Sequence, residues 1–100
     1  MEHFPRRLLT IVTEAALERD LLGELEALGV RGYTITEARG RGSRGTRQSD
    51  WNQAANIRVE VVCEPELAAR IAARMRQRFY DHYAMILFMQ DVSVLRPEKF

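Results

Sequence analysis

Asn56-Ile57-Arg58-Val59-Glu60-Val61-Val62-Cys63 runs straight into Glu64-Pro65-Glu66-Leu67-Ala68-Ala69-Arg70-Ile71, and the change of hydrophobic period between the two halves decides the fold. In the first half Ile57, Val59 and Val61 alternate with Arg58 and Glu60, the period-two pattern of a strand with one buried face. In the second, Pro65 suits a first helical position, and Leu67, Ala68, Ile71, Ala72, Met75 and Phe79 recur at helical spacing. Arg70, Arg74 and Arg78 form the opposite stripe, read as a solvated helix face supported by neighbouring acids.

Working upstream, Leu8, Leu9, Thr10, Ile11 and Val12 make a short β-branched run, apolar on both alternating faces, that reads as a buried strand within Arg7 to Thr13. Thr13 offers a helix cap. Leu17, Leu21, Leu25 and Leu28 then recur along a helix over Glu14 to Leu28, and Gly29 is its expected left-handed stop. Tyr33, Thr34, Ile35 and Thr36 favour a second strand within Gly32 to Arg39. Downstream of the second helix, a turn over Tyr80 to Tyr83 leads into a last strand within Ala84 to Leu95. Met85, Ile86, Leu87, Phe88 and Met89 make it apolar on both faces.

The resulting order, β-α-β-β-α-β, is that of an α+β, ferredoxin-like sandwich: two helices on one face of a four-stranded antiparallel sheet, forming a single domain across residues 1–100. The first and last strands are apolar on both faces, whereas the helices cover only one. At about 25 cal/mol per Å² of apolar surface, leaving the second face wet forfeits several kcal/mol. The expectation is therefore a homo-oligomer, most simply a ring of like subunits.

Fifteen basic and 14 acidic residues leave the 100-residue chain at a net +1, which excludes a global electrostatic grip on a polyanion. Fourteen of the basic residues are Arg, and Lys99 is the single Lys. No apolar run reaches the roughly 18 to 20 residues of a membrane-spanning helix, and Met1 to Arg7 lead into no long apolar region of a secretory signal. A cytoplasmic protein is expected. Cys63, the single cysteine, excludes an internal disulfide and multi-cysteine zinc, and reads as a small buried thiol.

The near-zero net charge hides a local cluster. From Arg39 to Ser49 the chain carries Arg39, Arg41, Arg44 and Arg47 with no acid, interleaved with Gly40, Gly42, Gly45 and Ser43, and no large apolar side chain comes before Trp51. Loops longer than about 12 to 15 residues are usually functional or disordered. Arg forks fit phosphate or carboxylate oxygens, and glycines let backbone N–H groups approach a bound anion. The competing interpretation is a solvated loop whose arginines keep it soluble. The spacing is neither a dinucleotide fingerprint nor a Walker loop.

Catalytic constellations are thin, because His3 and His82 lie far apart and Ser43 has no base near it in sequence. Asp81 could orient His82, although an exposed turn histidine is the simpler interpretation. Trp51 in a polar loop is placed to pack on a ligand, a partner or a neighbouring subunit.

Gly32-Tyr33-Thr34-Ile35-Thr36, Gly40-Arg41-Gly42-Ser43-Arg44-Gly45, Asn56-Ile57-Arg58-Val59-Glu60, Tyr83-Ala84 and Asp91-Val92-Ser93-Val94-Leu95-Arg96 together resemble the PII-like signalling proteins, most of all the branch linked to bicarbonate uptake and carboxysomes. The resemblance implies a non-enzymatic homotrimer with adenine nucleotides in its intersubunit clefts: ADP or AMP, with cyclic AMP and ATP as further candidates. It makes residues of about 40–55 the T-loop, puts the B-loop at Tyr80 to Ala84, and puts the C-terminal segment at Arg96 to Phe100. By the same resemblance Gly32, Tyr33 and Thr34 border the nucleotide, and Ser43, Arg44 and Arg47 meet its phosphate or the co-bound anion, with Gly42 beside them in the nucleotide site. Arg41, Arg44 and Arg47 are the candidates for bicarbonate, while Arg96 and Lys99 are assigned by location alone.

A bicarbonate transporter or a carboxysome-related protein is the implied partner, with no nucleic acid. Asp81-His82-Tyr83-Ala84 does not reproduce the Gly-rich B-loop of the nitrogen-sensing members, so their ATP with 2-oxoglutarate is not carried over. Nor is redox control through a cysteine-bearing C-terminal extension. Two alternatives come from other classes. A trimeric divalent-cation-tolerance protein would need clustered His, Cys or carboxylate ligands. A single-strand RNA binder would need exposed aromatics on its central strands, where Val59 and Val61 stand instead.

Overall fold

The computed structural model of the chain describes residues 2–42, 45–46 and 56–100, those at 41, 42, 45 and 46 through their backbone. Strand β1 spans Phe4–Glu14, and a single 3₁₀ turn, Ala15–Leu17, leads into helix α1, Glu18–Ala27. β2 is Thr34–Ala38, β3 Arg41–Gly42, β4 Gly45–Thr46 and β5 Asn56–Cys63. Helix α2 is Pro65–Arg78, β6 is Ile86–Val94, and a last 3₁₀ turn covers Pro97–Lys99. The main sheet has the order β2-β5-β1-β6, antiparallel throughout, and β3 pairs with β4 in a separate two-stranded ribbon. This is the expected ferredoxin-like arrangement.

The core lies between one sheet face and the two helices. Leu9, Ile11, Ile57, Val59, Val61, Cys63 and Met85 meet Leu17, Leu21 and Leu25 of the first helical segment and Ala68, Ile71, Met75 and Phe79 of the second. Strand β5 and the start of α2 at Pro65 match the sequence reading residue for residue. Gly29, at φ +88°, ends α1 as expected. The Val30 N–H donates to the Leu25 carbonyl and the Gly29 N–H to that of Glu26, the paired bonds of a Schellman stop.

Several boundaries differ. β1 begins at Phe4 rather than at Arg7, because its N-terminal half pairs with β6 from Phe4↔Val94 onward, and ladder hydrogen bonds override the polar Arg6. β6 begins at Ile86, past the apolar Met85, which is buried in the core. Thr13 caps no helix: it is a buried strand residue whose hydroxyl donates to Glu14 Oε1 at 2.9 Å, and the residue flanking the 3₁₀ turn is Glu14. The long loop contains the β3–β4 ribbon, in which Gly42 faces Gly45.

The sheet face away from the helices carries Leu8, Val12, Val62, Ile86 and Phe88, with Ile86 51% and Phe88 48% exposed. Val59 and Val61 point into the core, so the outer face of β5 is Arg58, Glu60 and Val62. The residues relevant to base stacking there are these, and the exposed aromatic Phe88 sits on the edge strand β6.

Candidate functional site

Of the residues singled out by sequence, those the structure describes lie toward the two ends of one strand, β2. Gly32 and Tyr33 lead into it and are exposed, Tyr33 by 48%, and Thr34 opens the ladder opposite Glu60 of β5. Immediately before them Arg31 donates from Nη1 to the Glu98 carbonyl at 2.8 Å. Arg6 donates from Nε to the Phe100 carbonyl oxygen and from Nη2 to that of Pro97, both at 3.2 Å. These two guanidinium groups hold the C-terminal 3₁₀ turn, and with it the exposed Arg96 and Lys99, to the body of the domain, through Arg31 beside Gly32. Behind this end, on the helix side, a groove of about 420 Å³ is lined by Arg19, Leu22, Glu26, Val30, Arg31 and Tyr33.

At the other end of β2, Ala38 pairs with Asn56, which is itself buried. The chain leaves the sheet after Ala38 and returns at Asn56, so this rung is the root of the Arg-rich loop. Arg39 and Gly40 are exposed there, and the backbones of Arg41 and Gly42 form the first strand of the ribbon. Ser43, Arg44, Arg47 and Trp51 lie outside the described residues. Four residue steps separate Thr34 from Ala38, about 13 Å along a strand, so the tail and the loop root stand at opposite ends of β2.

The turn between α2 and β6 also meets the loop root. The His82 and Tyr83 N–H groups donate to the Phe79 carbonyl at 3.1 and 3.0 Å, and the Tyr83 ring stands edge-on to Phe79 with centroids 6.1 Å apart. The Ala84 N–H donates to Glu14 Oε2 at 3.4 Å. Asp81 and His82 are both exposed.

Cys63 is buried, and that burial, reinforced by the Glu64 charge and partly offset by Arg7, pushes its thiol up from the ordinary value. A raised thiol pKa disfavours the reactive thiolate. Among the described residues no group of three or more His, Cys, Asp or Glu is placed to hold a metal ion, and no helix is long and apolar enough to cross a membrane.

Sequence reasoning missed Arg6, Arg31 and Glu14. Each is a single charged residue in or beside a strand, outside any motif, and its partner is a backbone group distant in sequence.

Comparison with known proteins completes the description. The family profile of nitrogen regulatory protein P-II matches residues 6–99. A PII-like signalling protein from Thermus thermophilus is 46% identical, with 100% of this chain and 99% of that one covered and a TM-score of 0.83. CPII from Thiomonas intermedia, in a structure bound to ADP and bicarbonate, is 29% identical, with 99% and 97% covered and a TM-score of 0.89. The same protein bound to ADP, AMP and acetate is 28% identical, with 100% and 98% covered and a TM-score of 0.86.

Proposed function

The chain belongs to the nitrogen regulatory protein P-II family, and from that premise we propose that this PII-like signalling protein is non-enzymatic and binds ADP or AMP together with bicarbonate. The whole of residues 1–100 acts as one domain in a cytoplasmic homotrimer. The nucleotide lies in the clefts between subunits, with cyclic AMP and ATP as further candidate ligands. Its readout is the Arg-rich loop of about residues 40–55, which signals to a bicarbonate transporter or carboxysome-related protein and so regulates inorganic carbon uptake.

The observation that carries this reading is the arrangement along β2: Gly32, Tyr33 and Thr34 with the clasped C-terminal turn at one end, the root of the Arg-rich loop at the other. A second copy seated on the apolar outer face would bring its own tail or loop toward these ends. In the proposal Gly32, Tyr33, Thr34 and Gly42 border the nucleotide, and Ser43, Arg44 and Arg47 meet its phosphates. Arg96 and Lys99 add charge from the tail, and Arg41, Arg44 and Arg47 take the small anion. Bidentate guanidinium forks suit both phosphate and bicarbonate oxygens. The ADP and bicarbonate bound by the 29% identical Thiomonas protein support the ligand pair.

A ligand shifts the loop only by binding one loop state better than another, so nucleotide and bicarbonate must couple reciprocally. Calorimetry of ADP with and without bicarbonate tests this. The expected result is tighter ADP binding in bicarbonate; identical affinities would sink the coupling, and no heat in either would sink the nucleotide site.

A further inference from the structure

One rung of the sheet gathers three segments that are far apart in sequence. Ala38, where the chain leaves β2 for the Arg-rich loop, pairs with Asn56, where it returns. Asn56 pairs on its other side with Glu14, the last residue of β1. The β1–β6 ladder ends at Val12↔Ile86, yet the link across the sheet continues, because the Glu14 carboxylate reaches past the end of β6 and accepts the Ala84 N–H at 3.4 Å. Its other oxygen accepts the hydroxyl of Thr13, at 2.9 Å, and the Thr13 side chain is fully buried. The carboxylate is thus oriented from below by a buried donor, and it holds the C-terminal end of the 80–84 turn where the backbone ladder has run out. The N-terminal end of that turn is fixed separately, by the Phe79 carbonyl.

We propose that Glu14 is a positioning residue that locks the 80–84 turn to the root of the Arg-rich loop, so that the two segments present one preorganised surface to the nucleotide. The affinity arm of this inference rests on the nucleotide reading above. An acid near an anion site ordinarily weakens anion binding by repulsion, so its removal should strengthen that binding. A positioning role has the opposite sign.

Two measurements on the full chain test the proposal. In the ligand-free protein, Glu14→Ala should speed hydrogen exchange at the Ala84 amide while exchange along β5 stays as in the wild type; unchanged exchange at Ala84 overturns the lock. By calorimetry, Glu14→Ala should weaken ADP binding about tenfold, the scale of one hydrogen bond to a charged group. Glu14→Gln should stay within about threefold, because its amide oxygen accepts from Ala84 while its NH₂ donates to Thr13. Glu14→Asp, which keeps the charge and shortens the reach, should lose as much as Glu14→Ala, and it serves in its place if that variant is unstable. Equal or tighter ADP binding by Glu14→Ala or Glu14→Asp overturns the positioning role. A wild type that binds no ADP removes the nucleotide reading and leaves the exchange measurement to decide the lock.

Discussion

Glu24 on α1 and Arg74 on α2 meet at 2.6 Å, with the Glu24 side chain only 12% exposed and a second guanidinium, that of Arg78, on its other oxygen at 2.5 Å. One carboxylate thus staples the two helices across their solvent edge. The Arg70, Arg74, Arg78 stripe is therefore a solvated face in part, with two of its members anchored on one acid from the other helix. Arg74 and Arg78 stay 38% and 52% exposed and can return to water, so solvent screening reduces the value of the staple. Glu24→Gln should lower unfolding free energy by about 1 kcal/mol in urea titration, with a smaller deficit at high salt. Arg78→Ala should cost less, on the order of 0.5 kcal/mol.

Gly29→Ala should destabilise by about 1–2 kcal/mol, the cost of a left-handed backbone for a residue with a Cβ. An added Cβ would meet no atom within 4 Å, so the cost is conformational and not steric. Gly29→Asn should recover part of it in the same denaturant titration, because Asn tolerates that region of φ.

Burial raises the Cys63 thiol pKa, which gives stability a definite pH dependence. Below the ordinary thiol range the folded and unfolded chains both hold the proton, and stability is unaffected. Above it the unfolded chain ionises first, so stability falls as pH rises toward the raised folded value. Urea titrations between about pH 7 and pH 10 should show that decline, and Cys63→Ala should lack this component of it while losing about 1 kcal/mol throughout.

Ile86 and Phe88 neighbour Val12 and Thr10 in register on the uncovered face of the sheet. The double substitution Ile86→Asp with Phe88→Asp should therefore convert the proposed trimer to a monomer at micromolar concentration by sedimentation equilibrium, with the helical circular dichroism retained. A wild type already monomeric under those conditions would remove the trimer from the proposed function.

Arg47→Ala should weaken ADP binding by about 1.5–3 kcal/mol, the scale of a hydrogen bond to a charged group, measured by calorimetry on the full chain. Unchanged affinity would take Arg47 out of the site.

Much of the fold was legible because its signals are local. Ile57, Val59 and Val61 alternate, Pro65 marks a helix start and Gly29 a stop, and each acts through its own neighbours in the chain. What escaped depends on distant partners. Phe4 to Arg6 become strand because β6 lies alongside, and Thr13, paired with Ile57 of β5, is a buried strand residue instead of a helix cap. For the candidate site, sequence pointed to Gly32–Thr34, the Arg-rich loop and the tail. It could not point to Arg31, Arg6 or Glu14, whose roles depend on carbonyls and an amide brought near by the fold.

The clasp on the C-terminal turn has a further consequence. Arg6 and Arg31 grip carbonyl oxygens of Pro97, Glu98 and Phe100 and no side chain of the tail. An anchor that reads only main chain is indifferent to what the tail carries, so the side chains at Arg96, Glu98 and Lys99 can change sign or size without shifting the segment that bears them. Placement and chemistry are thereby uncoupled, and under the proposed function the nucleotide preference at this end of the domain can be retuned by exchanging a few terminal side chains on a fixed mount.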